Sequence, residues 1–182
     1  SDTNSRAGKE VPIWKMEQRF VEPVKKVLAE RYEVDTHESL EDCLLNVAVT
    51  FVNDNYQDYL AELMEAKAGS LLEKLDEDNT RLQMLTALSY SVGYMLHIRS
   101  GLPGIAYFGN SLDKVCNFNT PEVISILGAA VSDMSEVLLR EIAVLVQDLQ
   151  REERNQNRTF EVPADSRYDV NRTKKTNIFE EV

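Results

Sequence analysis

Apolar residues recur every three or four positions along most of this chain. The pattern covers residues 40–51, resumes over residues 56–64 and returns over residues 82–96. Spacings of three and four place side chains on one face of an α-helix. No two alternating apolar and polar runs are joined by a hairpin turn of the Asn-Gly type. The chain is therefore predicted to be all-α.

Polar residues mark the predicted ends of the first helices. Thr36 and Ser39 are alternative N-caps, and Ser39 followed by Asp42 is close to a capping box. The polar run at residues 53–55 predicts a break or kink. Gly69 is the predicted end of the helix that follows, because glycine adopts the left-handed conformation common there.

Start signals place the flanking helices. Pro23 suits a first helical turn, so a helix is predicted from Pro23, after a short turn over residues 13–21. Residues 70–75 add a predicted short helix. Thr80 is the predicted N-cap of a helix over residues 81–99. The predicted buried stripe of that helix comprises Leu82, Leu85, Leu88, Val92, Met95 and Leu96.

The second half of the chain contains one long irregular segment and one long helix. The segment covers residues 102–119, with a single turn predicted over residues 111–116. Thr120-Pro121-Glu122 combines a cap, a first-position proline and a first-turn acid, which predicts a helix to about Glu152. Residues 123–131 are apolar on nearly every face, so this helix is predicted to be buried at the centre.

These elements predict a bundle of five or six helices with a long central C-terminal helix and a polar tail. Gly93 lies inside the predicted helix over residues 81–99, where glycine costs up to ~1 kcal/mol relative to alanine. Its presence indicates a close helix–helix approach. We expect a disordered N-terminus (residues 1–10), a single helical domain (residues 11–152) and a polar extended tail (residues 153–182).

Acidic residues are concentrated in one stretch of the chain. Of the formal net charge of −11, residues 31–80 carry −10, from 3 basic and 13 acidic side chains. Such a surface repels nucleic-acid phosphates and anionic membranes. Direct binding of nucleic acid or membrane is therefore not expected, whereas a protein partner is. A homodimer through the long helix stays open.

The acidic stretch has two interpretations. Carboxylates aligned on one exposed surface would mimic the phosphates of DNA and occupy a DNA-binding protein. Alternatively, they are the solvated faces that any surface helix has. The candidate acidic interaction surface comprises Glu38, Glu41, Asp42, Asp54, Asp58, Glu62 and Glu65.

Histidines and tyrosines offer a different chemistry. His37 and Glu41 have a spacing that suits a shared metal, although acids in a first helical turn also complement the helix dipole. The chain lacks a zinc-peptidase spacing, a phosphate-binding glycine loop and a nucleophile elbow, so no enzymatic activity, metal or cofactor is expected. A third hypothesis is a small-molecule-binding protein or enzyme with a pocket near Tyr94, His97 and Tyr107.

Two further features bear on location. Cys43 and Cys116 are too few for a disulfide framework, and both are expected to be reduced. No apolar run approaches the ~18 residues that a membrane span needs, and residues 1–10 do not precede a signal-peptide core. A cytoplasmic protein is therefore expected.

Motifs within residues 85–160 carry a family resemblance: Asn117-Phe118-Asn119-Thr120, Leu127-Gly128, Leu139-Arg140-Glu141-Ile142 and Arg158-Thr159-Phe160. This segment resembles accessory proteins encoded on conjugative elements of Gram-positive bacteria, some of them antirestriction-like. The resemblance implies a non-enzymatic protein-interaction domain of a bacterial mobile genetic element, with an antirestriction factor as the alternative. Those antirestriction proteins carry a zinc-peptidase-like signature that this chain lacks, so the resemblance transfers no activity and no site residues.

Overall fold

The computed structural model describes residues 14–35, 39–103 and 108–160, with side chains described to residue 156. Within these ranges the chain forms five α-helices and one 3₁₀ helix, and no strand. The helices are α1 Gln18–Tyr32, α2 Leu40–Asn55, α3 Gln57–Ala66, α4 Glu77–Arg99, the 3₁₀ helix η1 Gly109–Asn117 and α5 Pro121–Phe160. The predicted all-α bundle is confirmed.

The chain divides into two compact units, Ser1–Asp148 and Leu149–Val182. The first unit contains α1 to η1 and most of α5, and it holds the apolar core. The described part of the second unit is the end of α5, where Arg151, Glu152 and Arg154 are exposed.

The core of the first unit forms where α2 packs against α4. α2 contacts α4 more extensively than it contacts α1. Val47 and Ala48 of α2 and Ala87 and Leu88 of α4 are completely buried. Because alanine has a short side chain, it lets the two helix axes approach closely. This pair is the frame against which α1, α3 and η1 pack.

Gly93 marks a close approach of α2 and α4, as its position in the sequence predicts. A methyl group at Gly93 would lie 3.0 Å from Leu45 Cδ1 of α2 and 3.3 Å from Phe108 Cζ. Leu45 and Phe108 therefore use the space that any other residue would fill with its own β-carbon.

Side-chain caps fix the starts of α2 and α4. Ser39 caps α2 by accepting a hydrogen bond of 3.1 Å from the Asp42 amide. In α4, Asp76 accepts one of 2.8 Å from the Asn79 amide. Thr80 was predicted to cap this helix. Instead, its hydroxyl donates a hydrogen bond of 2.7 Å to the Asp76 carbonyl. The helix consequently begins one turn earlier than expected.

The earlier start of α4 accompanies a different buried face. Thr80, Met84 and Ala87 point into the core, whereas Leu82 is 59% exposed and Met95 is 39% exposed. The predicted buried stripe is therefore wrong at Leu82 and Met95. Small and polar side chains occupy part of the true buried face, so hydrophobicity alone did not identify it.

Three other boundaries bear on the predictions. Pro23 lies inside α1 instead of starting it, because the helix extends back to bury Phe20 on the same face as Val24. Residues 70–75 form hydrogen-bonded turns and no helix. The predicted break near residues 53–55 is confirmed at Tyr56, which separates α2 from α3.

α5 is longer and more exposed than predicted. It buries Val123, Leu127 and Ala130 on one side, whereas Ile124 is 41% exposed and Gly128 is exposed. The expectation of burial on every face is therefore wrong. The helix also continues to Phe160, so residues 153–160 are helical and not extended. The remaining tail and the predicted disordered N-terminus lie outside the described residues.

Matched glycine substitutions test the close approach at Gly93. Gly128→Ala meets no atom within 4 Å and is expected to stabilise the protein by about 0.5–1 kcal/mol, because alanine lowers the entropy lost on folding. Gly93→Ala makes the same helical gain but crowds Leu45 and Phe108, so its free energy of unfolding should be lower than that of Gly128→Ala by about 1 kcal/mol or more. Urea unfolding followed by circular dichroism measures both. Equal gains would contradict the tight contact.

Candidate functional site

The predicted acidic residues of α3 share one exposed face. Asp58, Glu62 and Glu65 are spaced by four and three positions, and all three side chains are exposed. Asp54 is exposed in the last turn of α2, just before α3 begins. These four carboxylates belong to adjoining helix segments.

The other predicted acids lie at the opposite end of α2. Glu41 and Asp42 occupy its first turn, and Asp54 follows about 20 Å further along the helix axis at 1.5 Å per residue. Asp42 also accepts a hydrogen bond of 2.7 Å from the Ser39 hydroxyl. The described residues thus divide the predicted surface into two regions. Glu38 and His37 lie outside the described residues.

A tyrosine joins the α3 acids to a further carboxylate on α5. The Tyr59 hydroxyl donates a hydrogen bond of 2.7 Å to Asp133 Oδ2. This bond, partial burial and the negative charges of Asp133, Glu62 and Asp58 raise the pKa of Tyr59 to about 12. We call Asp58, Glu62 and Asp133 the acidic cluster. Asp133 was missed from the sequence because it lies 74 residues from Tyr59.

Asp133 also lies at one end of a depression along α5, which we call the α5 groove. Its volume is about 810 Å³. It contains two arginines and four carboxylates, for a net charge of −2. Its lining residues are Arg31, Asp133, Glu136, Val137, Arg140, Glu141, Val144, Leu145 and Asp148.

Ion pairs shape the walls of the groove. Arg31 and Tyr32 at the end of α1 both donate to Glu141, and the Tyr32 bond is 2.7 Å. Burial and the Glu141 carboxylate raise the pKa of Tyr32, so its hydroxyl stays protonated and keeps donating. Arg140 pairs with Glu136 one turn earlier on α5. Both arginines are therefore engaged with carboxylates inside the groove.

The apolar floor of the groove was also missed from the sequence. Val137 is 51% exposed and Val144 is 50% exposed. Their spacing of seven positions was available as a signal. This spacing was overlooked because the helix was expected to be buried on all sides.

The predicted pocket near His97 is occupied, in its described part, by a protein side chain. The Phe108 ring lies 4.7 Å from the His97 ring and 6.0 Å from the Tyr94 ring, both edge-to-face. Tyr90 approaches the same ring from 6.1 Å. Phe108 and His97 are both buried. Tyr107, the third predicted pocket residue, lies outside the described residues.

His97 is held by the backbone of its own helix. Because a carbonyl oxygen can only accept, the His97 Nδ1–H donates to Gly93 at 2.8 Å. Burial lowers the pKa of His97, against the opposing effects of the Gly93 bond and of Glu41 and Asp42. The ring is therefore neutral near pH 7 and packs as an aromatic group.

Among the described residues, no group of three or more histidine, cysteine or acidic side chains is placed to hold a metal ion. No helix in the described ranges is both long and apolar enough to span a membrane. The chain matches no family model, no curated protein and no solved structure.

The lowered pKa of His97 predicts how stability depends on pH. Since unfolded histidine titrates near 6.5, the unfolded chain binds more protons than the native one as the pH falls below that value. The stabilisation is complete above pH 6.5 and is lost progressively on acidification towards the lower native pKa. Urea unfolding of wild type and His97→Gln between pH 7.5 and 5.5 measures this. The variant should have the shallower dependence, and parallel curves would contradict the assignment.

Proposed function

We propose that this chain is a protein-interaction domain that presents an acidic surface to a basic partner. The observation that carries the proposal is the continuity between the acidic cluster and the α5 groove at Asp133. Carboxylates on α3 and α5 thereby adjoin exposed apolar side chains. Mixed surfaces of this kind suit protein partners, because apolar contact supplies affinity and charge supplies orientation and fast association.

Three titratable groups with shifted pKa values, Tyr32, Tyr59 and His97, support a binding role over a catalytic one. Tyr32 donates to Glu141 and Tyr59 donates to Asp133, so each hydroxyl joins two helices. His97 is buried against Phe108. Each shift has a structural cause, and these groups serve to hold helices together. We therefore propose a non-enzymatic role, and the resemblance to mobile-element accessory proteins suggests a partner from a Gram-positive host.

A DNA mimic is the second candidate. The observation that favours it is the row of Asp58, Glu62 and Glu65 along one exposed face of α3, at axial rises of about 6 and 4.5 Å. A mimic would bind a DNA-binding protein at its nucleic-acid site. Duplex DNA would then compete with this chain for the captured partner. A partner that binds this chain through a surface other than its nucleic-acid site would not be displaced by DNA.

Charge neutralisation tests the proposed surface. The triple variant Asp58→Asn, Glu62→Gln and Asp133→Asn should reduce partner recovery from a Gram-positive lysate about tenfold, because three exposed charge contacts of about 0.5 kcal/mol each are lost. Quantitative mass spectrometry of the captured proteins is the measurement.

A matched triple variant serves as the control. Glu77→Gln, Asp113→Asn and Glu122→Gln remove the same charge from exposed positions on α4, η1 and the first turn of α5. It should recover the partner as wild type does. Equal loss in both variants would indicate non-specific attraction, and capture of nothing above background by wild type would count against an interaction domain.

A further inference from the structure

We draw no further inference here: the strongest candidate, the α5 groove with the half-exposed Val137 and Val144 on its floor, is an apolar depression for which nothing in the structure shows what covers it.

Discussion

The close approach of α2 and α4 at Gly93 is the constraint on which the rest of the first unit depends. Without a β-carbon at this position, Leu45 and Phe108 reach the backbone of α4. The packing of Phe108 against Gly93 in turn fixes the start of η1. The Phe108 ring also covers His97. One missing side chain thus bears on the helix spacing, the placement of Phe108 and the burial of His97.

Polar contacts between helices then orient α5 on this frame. Glu141 receives hydrogen bonds from Arg31 and Tyr32 of α1, and Asp133 receives one from Tyr59 of α3. These acceptors lie about two turns apart on α5. Because each bond joins residues that are far apart in sequence, the pair sets the rotation of α5 about its axis. That rotation turns Val137 and Val144 away from the core and into the groove.

Features that depend on residues close together in the chain could be predicted from the sequence. The buried face of each helix could be predicted only in part. The Ser39 cap, the break after α2 and the special position of Gly93 depend on residues close together in the chain. The buried face of α4 was misjudged because Thr80 and Met84 are buried while Leu82 is not. Asp133 could not be assigned to the acidic cluster, since its place there depends on how α5 packs beside α3.

Four apolar residues recur every seven positions along α5: Val123, Ala130, Val137 and Val144. The exposure of the last two is best explained by a role other than packing in the core. Val123 and Ala130 demonstrate that the repeat suits helix packing, because the chain's own core uses it there. Leaving Val137 and Val144 half exposed costs the hydrophobic stabilisation that their burial would supply. The nearby carboxylates keep this patch hydrated and repel acidic neighbours, including further copies of the same chain. Under the proposed function, an apolar patch beside carboxylates would favour basic partners, and the same charges would accelerate the encounter with them.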